Sequence, residues 1–565
     1  MRKPSRKPTP RKPKPTPPPM PSRSEELKAM GKKLVAKDSP LSQLLKRSLE
    51  KLQAQDDGPE HVVVKALAGT GKTTTLVEGL KEFKGISSEL TPSSLQKAVW
   101  EAICLSRGHA DSACFAAFGN DIAAELARRV PPGCEAVTTH KMGFRAVREA
   151  IGYRKPNKDA VEDLICELLE EDLKVLRRTK PVVLAATASL VDKCKLNLVD
   201  WKAPHFDEEL AALATRHDID LNGDEGEVFD LVPQILEMCL HPEPGREISF
   251  ADMLWLPIVL NLPVYRYDLL LVDESQDLNR AQHELAKRAG RRLIFVGDEN
   301  QAIYGFAGAD SESLPRLQTE LEATERGCIS LPLNVTYRCG KAIVREAQRY
   351  VPDFQAHEHN PEGLITMASL ERGSQDYRTQ VASSDMVLCR VNAPLVSECF
   401  KFIASGRKAN ILGRKDMGEG LIKAVERLWS AGAGAETFVA NVDEWLHKEQ
   451  KKENARRRPD ENRLANLQDR HDCLMIFSQE ANTVGQAIAK INSIFTDDRD
   501  NPGIRLSSIH KAKGLESKRV FLLQPKGVGP RADRMQDWQL GQERNLMYVA
   551  ITRAIDQFAY VKGGG

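Results

Sequence analysis

The segment Ala66-Leu67-Ala68-Gly69-Thr70-Gly71-Lys72-Thr73 follows the β-branched run His61-Val62-Val63-Val64-Lys65 and opens a helical pattern over Thr74 to Glu82. A strand, a glycine turn and a helix in that order hold phosphate. Gly69 and Gly71 let backbone N–H groups close around it, and the helix N-terminus adds its positive dipole. Lys72 then reaches the β and γ phosphates while the Thr73 hydroxyl suits Mg2+. Ala66 stands where the strict pattern has its first glycine. Hydrolysis needs acidic groups beside such a loop, and the apolar run Tyr267 to Val272 delivers Asp273 and Glu274 together. Asp273 is expected to hold Mg2+, directly or through water, and Glu274 to orient and deprotonate the attacking water. A third run, Leu293 to Val296, leads into Gly297-Asp298-Glu299-Asn300-Gln301. Gln301 can contact the γ phosphate, and Phe306 beyond it could carry a stacked base.

These groups need strand ends to position them. Short apolar runs at His61 to Leu67, Ala113 to Phe118, Tyr267 to Val272, Arg292 to Val296, Asp385 to Cys389, Val520 to Leu523 and Phe558 to Val561 each end in polar or glycine-containing punctuation. Buried strands alternating with helical patterns predict an α/β fold with parallel sheets, whose ligands bind at the carboxyl ends of the strands. Two longer stretches break the alternation. One reads as helices over Ala160 to Arg178, Phe206 to Arg216 and Val228 to Leu240, and the other as charged helices including Val442 to Arg458.

The 565 residues allow three or four domains of roughly 100–200 residues each. Hydrophobic residues at 41%, charged residues at 28% and a mean hydropathy of -0.40 fit a globular chain, and no run reaches the ~18 apolar residues of a spanning helix. The N-terminus lacks the apolar stretch of a secretory signal. Residues 1 to 23 carry eight Lys/Arg, nine prolines and no acid, which predicts a disordered basic arm: a solvated tail, or one that contacts phosphate or carries a targeting signal. Net charge is only +2, so the remainder is mildly acidic and a nucleic-acid site there has to be a local groove. Eleven scattered cysteines without a CxxC pair predict reduced core thiols and neither a zinc ribbon nor a disulfide framework.

Further motifs follow in order: Leu331-Pro332-Leu333-Asn334-Val335-Thr336-Tyr337-Arg338, Leu388-Cys389-Arg390-Val391-Asn392-Ala393, Leu506 to Glu516 with Ser508, His510, Lys511 and Lys513, and Gln542 to Ala554 with Thr552 and Arg553. From about residue 62 to 561 the chain resembles the UvrD/PcrA/Rep branch of superfamily-1 DNA helicases. The resemblance implies two RecA-like P-loop domains, each with a helical insertion, and ATP with Mg2+ in the cleft between them. The implied organisation is a basic tail and linker at 1–50, a first RecA-like domain at 51–149 and 256–330 with its insertion at 150–255, and a second at 331–420 and 501–565 with its insertion at 421–500. Tyr337 looks like the aromatic that packs on adenine, Arg338 and Arg553 like the arginines that reach the γ phosphate from the second domain, and Glu516 like a nucleotide sensor. For the strand, Phe118 and Asn120 resemble a base-stacking motif and His140 the next contact motif, with Phe306, Ser508, His510 and Lys513 lining the same track.

The match departs from the family at Asp121, Ala307 and Asn545, where a lysine, an arginine and an arginine are common. No glutamine motif precedes the phosphate loop; Leu90 to Gln96 resembles one but comes after it. Too few residues separate Arg338 from His510 for the large second-domain insertion of UvrD, PcrA and Rep, so the chain looks more like phage-type helicases and the helicase portion of F-box DNA helicases. The expected activity is an ATP-dependent helicase or translocase on single-stranded DNA, moving 3′ to 5′ in repair, recombination or replication. Alternatives are a translocase that strips proteins without processive unwinding and a nucleotide-dependent binding switch. Expected partners are single strands and single-strand/duplex junctions, with repair or replication proteins recruited through the tail, no membrane and a monomeric chain. The expected location is the cytoplasm in association with the nucleoid, or the nucleus of a eukaryotic source.

Overall fold

The computed structural model describes residues 60–563 apart from 107–109, 118, 218, 220, 222, 244, 304–312, 372–375, 414–416, 430–433, 456–460, 497–502, 527–532, 534 and 536. The basic arm therefore lies outside the described residues. Six strands form the first sheet: β1 (His61–Ala66), β2 (Ala113–Ala117), β3 (Cys134–Thr138), β4 (Tyr267–Val272), β5 (Gly290–Gly297) and β6 (Cys328–Leu333). Their order is β3-β2-β4-β5-β1-β6, every pair parallel. Val62, Val63 and Val64 are fully buried, as are Leu269, Leu270 and Leu271, which fits strands covered on both faces. Register decides what the sheet can do. Lys65 lies opposite Gly297, Val272 opposite Phe295 and Ala66 opposite Leu333, so β4, β5, β1 and β6 end at nearly one level. Neighbouring strands lie about 4.8 Å apart, so the loops that leave these ends share one crevice.

A short parallel pair, β7 (Val335–Thr336) with β8 (Gln355–Ala356), follows the first sheet. The second sheet holds β9 (Leu364–Ser369), β10 (Met386–Cys389), β11 (Ala409–Leu412), β12 (Phe495–Thr496), β13 (Ile504–Ser508), β14 (Ser517–Gln524) and β15 (Ala554–Lys562). Its order is β12-β11-β13-β10-β14-β15-β9, again parallel throughout. Each sheet has a helical companion. Helices between Ala160 and Val259 pack around Leu190, Val191, Leu210, Val232, Ile235 and Trp255. Helices Glu419–Leu428, Ala435–Asn454, Glu461–Glu480 and Val484–Ile494 share a core with the second sheet, where Phe477 joins Val387 and Cys389, and Trp429 stacks on Phe438 at 4.3 Å.

Several elements differ from expectation. The single helix expected over Ala160 to Arg178 is two, Ala160–Leu169 and Leu173–Thr179. Glu170 turns left-handed at φ 52, three consecutive acids oppose the first helix's C-terminal dipole, and the Asp172 carboxylate caps the next helix by accepting from the Lys174 N–H. The helix expected over Val442 to Arg458 starts earlier, at Ala435, and ends at Asn454, with residues 456–458 outside the described set. β6 runs past the expected division at 330/331, and β12 falls inside the stretch 421–500 that was expected to be helical. The second-sheet strands also extend beyond the expected runs, β14 to Ser517–Gln524 and β15 to Ala554–Lys562.

Candidate functional site

The glycine loop leaves β1 into helix Lys72–Phe83, with Gly69 at φ 67 and Gly71 at φ 77. Both angles lie in the left-handed region that side chains disfavour. Gly69 is also sterically fixed: a Cβ there would lie 2.6 Å from Thr336 Oγ1 and 2.7 Å from Arg338 Cβ. Ala66, by contrast, is the last paired residue of β1 opposite Leu333, an extended position that has no need of glycine. Leu67 and Ala68 are buried behind the loop, and the Thr70 hydroxyl donates back to the Leu67 carbonyl at 2.9 Å.

The acidic strand end lies directly against the loop. Thr73 Oγ1 donates to Asp273 Oδ2 at 2.5 Å, and Lys72 Nζ meets Glu274 Oε2 at 3.1 Å. A hydroxyl and a carboxylate side by side are hard oxygen donors of the kind Mg2+ takes, so the pair fits the ion. Burial alone would lower the Lys72 pKa, but Glu274, Asp298 and Asp273 outweigh it and raise it. The two carboxylates are driven apart: burial and the neighbouring Glu274 charge push Asp273 up, while Lys72 and Lys513 hold Glu274 down against its burial. Glu274 takes φ 48 and ψ 40, a left-handed conformation for a residue with a Cβ, as found where structure around a site enforces it. Gln301 is buried in the 3-10 turn Glu299–Gln301 just beyond β5, its Nε2 donating to Asp298 Oδ2 at 2.6 Å.

The second half of the chain closes over this site. The Tyr337 N–H donates to the Gly69 carbonyl at 2.9 Å, and Tyr337 is 39% exposed, its ring lying 4.9 Å from the His357 ring. A partly open ring at this place can take a base on its free area. Arg338 Nη1 donates to Glu516 Oε2 at 3.3 Å, whereas its Nε and Nη2 are buried without a hydrogen-bond partner among the described residues. Buried guanidinium donors beside a phosphate loop fit phosphate oxygens. Arg553 is placed differently. It is buried, and its donors are taken up by the Val549 and Leu515 carbonyls, Thr552 Oγ1 and, at 3.4 Å, Gln301 Oε1. Burial and the nearby Arg338 charge lower its pKa to about 9.

The residues expected along the strand track are distributed unevenly. Phe118 and Phe306 lie outside the described residues. Asn120 is exposed as the first residue of helix Asn120–Arg129, beside Asp121. His140 is half-buried in the first turn of helix Thr139–Ile151, where burial lowers its pKa. Ser508 ends β13, and its hydroxyl accepts from the Lys511 N–H at 3.4 Å. Burial, with Arg390 and Lys511 adding, pushes His510 down to about 3 and keeps the ring neutral. Lys513 departs from the expectation. Its ammonium lies on both Asp277 oxygens at 2.6 and 2.7 Å and on the Gln301 carbonyl at 2.6 Å, because the closed cleft brings the turn after β13 onto the acidic loop.

Other contacts at the site were not expected from the sequence. The Ala68 N–H donates to the Tyr548 hydroxyl at 3.0 Å across 480 positions of chain. Tyr548 lies inside the last motif but carries no charge to mark it. Asn545, noted above as a departure, donates to the Glu299 and Ala302 carbonyls at 3.2 Å. Gln96 closes a capping box with Ser93 and turns its Nε2 to the Thr70 carbonyl at 3.4 Å. The Ser-x-x-Gln spacing is a signal for that cap, although not for its contact with the loop.

Comparison with known proteins agrees with this geometry. Residues 48–322 match the UvrD/REP helicase N-terminal domain and residues 277–560 the UvrD-like helicase C-terminal domain. The chain is 35% identical over 114 residues to the ATP-dependent DNA helicase PcrA of Staphylococcus aureus, covering 20% of the chain and 15% of that protein. It is 28% identical over 302 residues to a probable DNA helicase of Mycoplasma pneumoniae, 52% of the chain and 42% of the relative, and 26% identical over 184 residues to a probable DNA helicase II homologue of Mycoplasma genitalium, 30% and 26%. The chain thus spans less than half the length of these curated relatives. With two parallel sheets, a glycine loop and paired carboxylates at the strand ends of the first, and family matches that together run from residue 48 to 560, the chain belongs to the UvrD-like helicase family.

Proposed function

We propose that the chain is an ATP-dependent DNA helicase that moves along single-stranded DNA, 3′ to 5′, and separates strands at junctions with duplex. The observation that carries the reading is Arg338: a second-half arginine with two buried, unsatisfied donors that packs on Gly69 of the phosphate loop. Hydrolysis at such a site responds to whether the cleft is closed, and coupling of that kind turns a nucleotide cycle into movement. Water attacks the γ phosphorus, the bond to the bridging oxygen breaks, and Glu274, kept ionised by Lys72, accepts the proton. Lys72 and Arg338 offset the charge that develops on the transferred group. Thr73 and Asp273 would hold Mg2+, which supplies further charge neutralisation on the phosphates. Tyr337 carries the adenine. The strand crosses the ends of both sheets, past Asn120, His140, Ser508 and His510, with Phe118 and Phe306 as stacking faces.

Steady-state ATP hydrolysis with and without a single-stranded oligonucleotide tests the reading, with Lys72→Ala as the blank. Stimulation by the oligonucleotide that vanishes in the variant is the expected result, and hydrolysis indifferent to DNA would sink the motor. Strand displacement from substrates with 3′ or 5′ overhangs then reads polarity. A translocase that only strips proteins would hydrolyse ATP normally and displace no strand.

A further inference from the structure

Lys513 was expected to meet the backbone of the strand, but its surroundings point elsewhere. Its side chain is 9% exposed and that of Asp277 is 7% exposed, so the pair is shut away from solvent. Among the described residues the ammonium reaches two oxygens of Asp277 and the Gln301 carbonyl. All three belong to the first half of the chain, whereas Lys513 belongs to the second. Separation of the two halves would break the contact.

The network continues inward. Gln276 Nε2 lies 3.4 Å from Asp277 Oδ2 and donates to Glu274 Oε2 at 2.6 Å, while the Asp298 N–H donates to Gln276 Oε1 at 3.0 Å. The contact with Asp298 fixes which end of the amide faces Glu274, so Gln276 can only present its N–H groups to the two carboxylates. Glu274 in turn reaches Lys72. A continuous polar path thus runs from the turn after β13 to the carboxylate that takes the proton.

We propose that Lys513 and Asp277 form the link through which the second half of the chain positions Glu274, which makes both of them positioning residues for hydrolysis. The proposal rests on the hydrolytic reading above. When the cleft opens, Lys513 leaves and Asp277 loses its cation, so the Gln276 amide, already 3.4 Å from Asp277 Oδ2, is drawn toward that carboxylate and away from Glu274. Closure restores the pair, and Gln276 keeps its shorter bond to Glu274 at 2.6 Å. A turn that continues from β13, which carries Ser508 and His510, would thereby control proton acceptance without touching the nucleotide.

The test uses the full chain, with Lys513→Ala, Asp277→Asn, the double variant and Lys513→Arg. ATP hydrolysis is measured across ATP concentration with and without single-stranded DNA, and oligonucleotide affinity across salt concentration. Each single variant is expected to lower kcat by about tenfold with little change in KM, and the double variant to be no worse than the poorer single, since residues that act as a unit are not additive. Lys513→Arg should recover most of the rate, because it keeps a cation on Asp277. The salt slope of strand affinity should stay unchanged. Multiplicative losses in the double variant would overturn the link. So would a Lys513→Ala chain whose salt slope falls by about 0.7, the loss of one phosphate contact, while Asp277→Asn turns over normally. Hydrolysis indifferent to DNA in the wild type would overturn the motor reading alone, because the variants are still compared on basal kcat. A wild type without hydrolysis would overturn both.

Discussion

The individual side chains at the cleft are held by opposed demands of burial and charge. Glu274 and Asp273 are adjacent in sequence and both enclosed, yet Lys72 pulls only the former firmly into its ionised form. The same reasoning applies to a histidine remote from the cleft. His61 opens β1, is 6% exposed, and accepts the Leu293 N–H on Nδ1 at 3.1 Å. That bond needs a neutral ring, and burial together with Arg326, Arg292 and Arg266 lowers its pKa to about 4. The folded pKa lies below the unfolded value, so the unfolded chain binds the extra proton, and stability is lost as pH falls from about 6.5 toward 4. The loss at pH 4 is on the order of 3 kcal/mol. Chemical denaturation followed across this pH window should show it, and His61→Asn, which keeps an acceptor but does not titrate, should flatten that part of the profile.

At the level of elements, the helices inserted after residue 418 are tied to a motif of the second sheet. Asp469, in helix Glu461–Glu480, accepts from the Asn392 and Ala393 backbone N–H groups and from Asn392 Nδ2 at 2.6–2.9 Å. It supplies from another helix the cap that helix Ala393–Ala404 does not draw from its own Asn392 side chain. Asp469→Ala leaves these buried and partly buried donors without an acceptor, and a loss of about 2 kcal/mol in unfolding free energy is expected. Asp469→Asn, which keeps an acceptor oxygen, should lose less than half as much. Equal losses in the two variants would show that packing, not the cap, holds these helices in place.

For the whole molecule, the two halves are joined by an apolar cluster as well as by polar contacts. Leu67, Ala68 and Ile303 from one side share it with Ile509, Leu546 and Val549 from the other. Tyr548 adds the bond from the Ala68 N–H, which Tyr548→Phe would leave unsatisfied at a cost of about 1–3 kcal/mol. Thermal unfolding of this variant should begin lower than in the wild type, and kcat should fall because closure is less favourable. A variant that turns over normally despite a lower midpoint would separate stability from closure. The expected order of motifs and the parallel α/β class were legible in the sequence because they are local. Apolar runs ending in glycine or acid mark strand ends; Lys72, Thr73, Asp273 and Glu274 carry their chemistry in their own side chains, and Gly69 in its left-handed backbone. Pairing partners were not legible. Lys513 looked like any basic residue beside a strand track, Tyr548 like core, and Gln96 like a motif out of order. Each acquires its role from a residue tens to hundreds of positions away. Such contacts depend on how the first sheet meets the second, and no spacing along the chain encodes that approach. The sequence by itself therefore determined which reactive side chains stand at the strand ends, and only the tertiary structure decided which of their charges are paired with one another.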